Sequence, residues 1–104
     1  MYEIISSDIK IDKKLSVQQM MALYQEVSSF DGNVYFLFKH KIIDAAKLSK
    51  LVSFMLTIEE RTSIKVIIEG KKVQKMVSTV TKYCGGKLQK NYKLYMNPKD
   101  TIQI

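Results

Sequence analysis

Few side chains in the 104-residue sequence have the chemistry of a nucleophile, an acid–base catalyst or a metal ligand. The chain has one histidine, His40, and one cysteine, Cys84. These two residues cannot supply a disulfide, a paired-thiol zinc site or a set of catalytic histidine partners. The four glycines do not have the spacing of a phosphate-binding loop. The sequence therefore predicts neither an enzyme active site nor a bound metal or cofactor.

The reactive groups that are present have simpler structural explanations. His40 falls in a predicted turn, where an exposed histidine is more common than a catalytic one. A lone cysteine is usually a small buried thiol, because a nucleophilic thiol needs a depressed pKa. Glu59 and Glu60 are adjacent in a predicted loop, and adjacent carboxylates seldom converge on one substrate. We interpret these residues as structural or solvated.

Basic charge is concentrated in the last third of the chain. Residues 1–70 hold nine Lys or Arg and nine Asp or Glu, whereas residues 71–104 hold eight Lys and one Asp, within a net charge of +7. Only Arg61 is an arginine, so the guanidinium groups that read guanine or clamp phosphate are scarce. A solvated basic face is therefore favoured over a nucleic-acid surface. The predicted basic patch comprises Lys71, Lys72, Lys75, Lys82, Lys87, Lys90 and Lys93.

The periodicity of apolar residues predicts the order strand, helix, strand, strand, helix, strand, helix. An imperfect alternation over residues 2–11 is typical of a half-buried strand with a slip near residues 6–8. Helical spacing predicts a first helix over residues 16–29, whose apolar stripe comprises Val17, Met20, Met21, Tyr24, Val27 and Phe30. Ser16 and Gln19 have the spacing of a capping box at its start.

Later segments continue this pattern. Two apolar runs joined by Lys39 and His40 predict a hairpin, and Asp44 is the predicted cap of a short second helix. The second helix carries an apolar stripe, and a fourth strand ends at Gly70. The predicted stripe comprises Leu48, Leu51, Val52 and Met55. A third helix begins near Val73 and ends before a pair of glycines.

This order predicts an α+β fold: an open-faced β-sandwich with a four-stranded antiparallel sheet and three helices on one face. Residues 1–84 form the predicted domain, and residues 85–104 form a basic extension. The extension could add an edge strand, dock on the sheet or stay mobile, and an added strand could complete a homodimer. No uncharged run approaches the roughly 20 residues of a membrane span, and the first residues do not resemble a signal peptide. We expect a cytoplasmic protein.

The element order and apolar register resemble those of HPr, the small histidine phosphocarrier family of the bacterial sugar phosphotransferase system. Phe30 resembles the aromatic residue that ends the family's first helix. Val34 and Phe36 match its second-strand core, and Leu48 and Leu51 match its second-helix core. The resemblance covers residues 1–84 and implies the same α+β fold.

The resemblance also places both of the family's phosphorylation sites at residues unsuited to them. Ser16 stands where family members carry the phosphorylated histidine, and Gln18 stands where they carry an arginine. Lys47 stands where many members carry a regulatory serine. A serine hydroxyl without a base is a weak nucleophile, and a lysine cannot replace the serine as a phosphate acceptor. The resemblance therefore implies a scaffold that has lost phosphotransfer.

Partners of the family bind the exposed faces of the first two helices. On this chain the resemblance places that surface at Leu15, Val17, Gln18, Met21, Lys47 and Lys50. An apolar centre with a positive rim suits an acidic protein partner. We expect a non-phosphorylatable protein-binding or regulatory module of a bacterial cytoplasm. Two alternatives stay open: an ancillary phosphocarrier that uses a hydroxyl or His40, and a binder of anionic surfaces or nucleic acid through the basic patch.

Overall fold

A computed structural model describes residues 2–84 in full and the backbone of residues 88–96. In chain order the elements are β1 (Tyr2–Ile11), α1 (Val17–Ser28), β2 (Gly32–Phe38), β3 (Lys41–Asp44), α2 (Leu48–Thr57), β4 (Thr62–Gly70), α3 (Val73–Cys84) and β5 (Leu88–Met96). None of the helices in residues 2–84 has the length and apolar character needed to cross a bilayer.

The strands form an antiparallel sheet in the order β3-β2-β4-β1-β5. β1 and β4 pair without interruption, from Glu3 opposite Gly70 to Ile11 opposite Thr62. β2 pairs with the other edge of β4, and β3 folds back onto β2 through the Lys39–His40 turn. The predicted four-stranded α+β fold and its element order are confirmed.

A fifth strand extends this sheet beyond β1. β5 pairs with β1 from Met96 opposite Tyr2 to Leu88 opposite Ile9, with an irregularity between Asp8 and Ile9. The extension was predicted to add an edge strand, to dock on the sheet or to stay mobile. Residues 88–96 form the edge strand. The domain boundary at residue 84 and the homodimer through the extension stay predictions.

The core lies between the three helices and one face of the sheet. Alternate residues of the central strands point into it, which is the period expected of a sheet with one buried face. Phe36 of β2 and Phe54 of α2 meet there, with ring centroids 5.9 Å apart and an angle of 46° between the rings. This tilted contact is a favourable aromatic geometry and joins α2 to the sheet.

The imperfect alternation of β1 reflects a buried polar residue as well as a local irregularity in its pairing. Ile5, Ser7, Ile9 and Ile11 occupy successive positions on the core side, and the pairing with β4 stays in register throughout. Ser7 is 1% exposed, so a polar residue fills one inward position. Ile4 is buried on the opposite face. The slip predicted near residues 6–8 is absent from the pairing with β4, but the pairing with β5 has an irregularity between Asp8 and Ile9.

The buried face of α1 agrees with the predicted stripe at Met20 and Val27 but not at Val17 and Met21. The helix spans Val17–Ser28, within one residue of the predicted bounds. Its buried residues are Met20, Leu23 and Val27. Val17 is 63% exposed and Met21 is 38% exposed, so neither belongs to the core as a stripe residue would. The core-facing side is centred on Leu23, which the predicted stripe omitted.

Asp44 does not cap α2, which corrects another prediction. It ends β3 opposite Tyr35, and its carboxylate accepts a hydrogen bond from the Ala46 amide at 2.9 Å. Lys47 occupies the N-cap position of α2 and makes no side-chain capping bond. The Asp44 carboxylate therefore orders the connecting turn instead.

Candidate functional site

Ser16 is engaged in local hydrogen bonds at the start of α1. Its Oγ accepts a hydrogen bond from the Gln19 amide at 3.1 Å, and Gln19 Oε1 accepts one from the Ser16 amide at 2.8 Å. This reciprocal pair confirms the predicted capping box. Ser16 thus has the environment of a cap rather than that of an activated nucleophile.

His40 is exposed in the β2–β3 turn, and no hydrogen bond or ion pair joins it to another residue of the described chain.

Replacing Ser16 with alanine is expected to lower the free energy of unfolding by about 1 kcal/mol, because an amide at the helix start loses its acceptor. Urea denaturation followed by circular dichroism measures this change. Gln18→Ala is the matched control, since Gln18 is exposed in the same turn and lies outside the capping box. The control should stay within about 0.5 kcal/mol of the unsubstituted protein. Equal losses in both variants would contradict the assigned cap.

Leu15 does not belong to the predicted partner surface, because it is 6% exposed and part of the core. It precedes the N-cap Ser16, and Met20 occupies the fourth helical position. These are the two positions of a hydrophobic staple, and both residues lie in the same core cluster. Leu15 was predicted to be exposed, and this prediction is wrong.

The other predicted surface residues are exposed. Val17, Gln18 and Met21 lie on the first two turns of α1, and we call them the α1 surface. Lys47 precedes α2 and Lys50 lies in its first turn. Lys47 places a positive charge at a helix start, where an anion would be stabilising. These residues supply an exposed apolar strip on α1 and two exposed lysines at the start of α2.

A cleft of about 460 Å³ separates the end of α1 from the turn into α3. We call it the α1–α3 cleft. The lysines of its lining belong to α3 and the turn before it, and the carboxylates belong to the end of α1 and the turn after it. We call these two groups the lysine wall and the carboxylate wall. The residues that line the cleft are Glu26, Ser29, Phe30, Asp31, Lys71, Lys72, Lys75, Met76 and Thr79. Part of the predicted basic patch is thereby gathered into one concave site.

The rest of the basic patch is divided. Lys82 is exposed on α3, about two turns beyond Lys75, and does not line the cleft. Lys87 lies outside the described residues. Lys90 and Lys93 occupy register positions in β5 opposite Asp8 and Ile5. The patch is therefore not a single helical face, since Lys71 and Lys72 also precede α3.

Two glycines bring the walls of the cleft together. Gly32 of β2 pairs with Gly70 of β4, and the next residues outward are Asp31 and Lys71. The Lys71 amide donates a long hydrogen bond to the Asp31 carbonyl oxygen at 3.4 Å. A Cβ atom on Gly70 would lie 2.5 Å from that same oxygen, so the approach requires glycine. The sequence placed Gly70 at the end of a strand but did not pair it with Gly32, and it missed Glu26 and Asp31 as site residues.

Cys84 is buried at the end of α3, and this burial raises the pKa of its thiol to about 12. Desolvation disfavours the thiolate, which is the reactive form. A structural thiol, as interpreted from the sequence, is consistent with this environment. Among the described residues, no three His, Cys, Asp or Glu side chains are grouped to hold a metal ion.

We expect Cys84 in the folded chain to react with a thiol reagent at pH 8 at least about a hundredfold more slowly than in the denatured chain. The time course of labelling measures both rates, and the signal is unambiguous because Cys84 is the one cysteine. The unfolded thiol ionises near its usual 9.0 and the folded thiol near 12. The contribution of the buried thiol to the free energy of unfolding is therefore complete below pH 9. It declines as the pH rises from 9 to 12, because the thiol then ionises in the unfolded chain but not in the folded one. Equal labelling rates in both states would contradict the burial.

Comparison of the chain with protein-family models finds no match, and a search of curated proteins finds no similar sequence. Neither comparison therefore bears on the resemblance to HPr.

Proposed function

We propose that the chain is an HPr-like protein-binding or regulatory module of a bacterial cytoplasm that carries no phosphoryl group. The capping box at Ser16 carries the proposal. The hydroxyl at the family's histidine position accepts an amide of its own helix, and the exposed Gln18 has no charge with which to hold phosphate. The α+β fold with three helices is the one that the resemblance implies. These observations favour a retained scaffold without the family's chemistry.

The α1 surface is the proposed contact with a partner. Val17 and Met21 are one helical turn apart and expose apolar area that no described element covers. Lys47 and Lys50 add positive charge at the start of α2. An apolar contact with basic residues at its rim is complementary to a protein that presents an apolar side chain among carboxylates. Binding through this surface requires no phosphorylation.

Intact mass measurement tests the absence of phosphotransfer. The chain is incubated with phosphoenolpyruvate and the general phosphotransfer enzyme, and separately with ATP and the family's serine kinase. An active HPr in the same reactions is the positive control. We expect no gain in mass in either reaction. The gain of one phosphoryl group on Ser16, on His40 or on Ser49, which lies in α2 two residues beyond Lys47, would instead support the ancillary phosphocarrier.

Affinity capture from a source lysate tests the α1 surface. We expect the double variant Val17→Asp with Met21→Asp to capture at least about tenfold less partner than the unsubstituted chain. The reason is that the variant places carboxylates against an acidic contact. Leu56→Asp is the matched control, since Leu56 is exposed on α2 and lies outside the α1 surface. Circular dichroism melting verifies that all variants fold. Undiminished capture by the double variant would remove the α1 surface from the proposal.

A further inference from the structure

We propose that the α1–α3 cleft binds a small organic phosphate, with the phosphate groups at its lysines and hydroxyl or amino groups at its carboxylates. This site lies at the opposite end of α1 from the α1 surface. Glu26, a cleft residue on α1, lies five residues beyond Met21, which is about 7.5 Å along the helix at 1.5 Å per residue. The proposal therefore concerns a second ligand and does not depend on what the α1 surface binds.

The lysines of the cleft are available to an anion. Lys71, Lys72 and Lys75 are exposed, and none forms an ion pair within 4.0 Å with a carboxylate of the described residues. All three lysines line the same cavity. Lysine binds phosphate oxygens as a compact point charge, and hydrogen bonds between ionised groups are stronger than neutral ones. The concentration of cations on this wall fits a ligand with more than one negative charge.

The carboxylates of the cleft make the site selective. Glu26 and Asp31 repel a bare inorganic anion, which carries no group to offset their charge. Ionised carboxylates are hydrogen-bond acceptors, so they bind the hydroxyl or amino groups of an organic molecule. A ligand that presents phosphate to one wall and donors to the other satisfies both. The pattern of charges thus favours an organic phosphate over phosphate alone.

The size and apolar surface of the cleft indicate the rest of the ligand. Its volume of about 460 Å³ is within the range of about 300–1,000 Å³ that is typical of small-molecule pockets. Phe30 is half-buried and Met76 is nearly buried, so both present apolar atoms to the cavity. A ring packed on these side chains removes apolar surface from water. A nucleoside or sugar phosphate has the required combination of ring, donors and charge.

Calorimetric titration of the full chain with adenosine diphosphate tests the lysine wall. We expect Lys75→Glu to weaken binding by about tenfold, because it removes a charge-assisted hydrogen bond and adds repulsion. Lys82→Glu makes the same change in charge on the same helix, outside the cleft, and should alter binding by less than about twofold. Equal losses in the two variants would show diffuse attraction to the basic patch and overturn the proposal.

The carboxylate wall is tested by Glu26→Ala with two ligands, adenosine diphosphate and pyrophosphate. Removal of a negative charge alone strengthens the binding of any anion. We expect the variant to bind pyrophosphate more tightly but adenosine diphosphate several-fold more weakly, because the nucleoside loses an acceptor. Tighter binding of both ligands would contradict the assigned role of Glu26. No binding of either adenosine diphosphate or ribose 5-phosphate to the unsubstituted chain at millimolar concentration would overturn the proposed site.

Discussion

Replacing Phe54 with alanine is expected to lower the free energy of unfolding by about 3–5 kcal/mol. The Phe54 ring is completely buried, and its contact with Phe36 joins α2 to the sheet. Truncation removes the apolar area that folding buries and leaves a cavity that a close-packed core fills only in part. Since a domain of this size has a total stability of about 5–15 kcal/mol, the loss is a large fraction of it. Urea denaturation monitored by circular dichroism measures the difference.

Leu56→Ala provides the matched control for this prediction. Leu56 lies two positions along the same helix but is 57% exposed, so its truncation should cost about 0.5 kcal/mol or less. The two substitutions change similar apolar side chains in one element, and only the burial differs. A loss at Leu56 as large as that at Phe54 would mean that the buried face of α2 is assigned wrongly.

Replacing Gly70 with alanine is expected to lower the free energy of unfolding by about 3 kcal/mol or more. Gly70 has φ of 142°, a conformation that costs a residue with a Cβ atom about 1–3 kcal/mol. The added Cβ would also lie 2.5 Å from the Asp31 carbonyl oxygen, and relief of that overlap must move backbone. Thermal and urea denaturation measure the loss.

Lys65→Ala tests whether that loss is specific to Gly70. Lys65 lies in the same strand, is exposed and pairs with Leu37 of β2. Its substitution should change the stability by about 0.5 kcal/mol or less. If Gly70→Ala were as mild as Lys65→Ala, the close approach of Gly32 and Gly70 would not exist as described. The same result would remove the physical basis for the shape of the α1–α3 cleft.

The sequence predicted most elements because their signals are local. The capping box depends on two residues three positions apart, so it could be recognised directly at Ser16 and Gln19. The hairpin at Lys39 and His40 follows from two adjacent apolar runs. Residue periods of two and about 3.6 identify strands and helices before any packing is known. The resulting element order was sufficient to predict the α+β fold.

Local signals were insufficient wherever burial depends on the rest of the molecule. Val17 and Met21 fit a helical stripe, yet they are exposed because the packing of α1 centres on Leu23. The resemblance to HPr placed Leu15 on the partner surface, but this residue lies in the core at a staple position. Ser7 fills an inward position that polarity alone would assign to solvent. Periodicity constrains which residues share a face, but the neighbouring elements select the face that is buried.

The amino-acid sequence by itself determined the helices, the strands of the four-stranded sheet and the capped Ser16, because each depends on residues close together in the chain. Only the tertiary structure decided that β5 joins β1, that Phe54 meets Phe36 and that Lys71 lies beside Asp31. The last juxtaposition depends on the pairing of Gly32 with Gly70 across two strands. Contacts between residues so far apart in sequence are selected by the packing of the whole domain, since no local pattern specifies which strand edges meet.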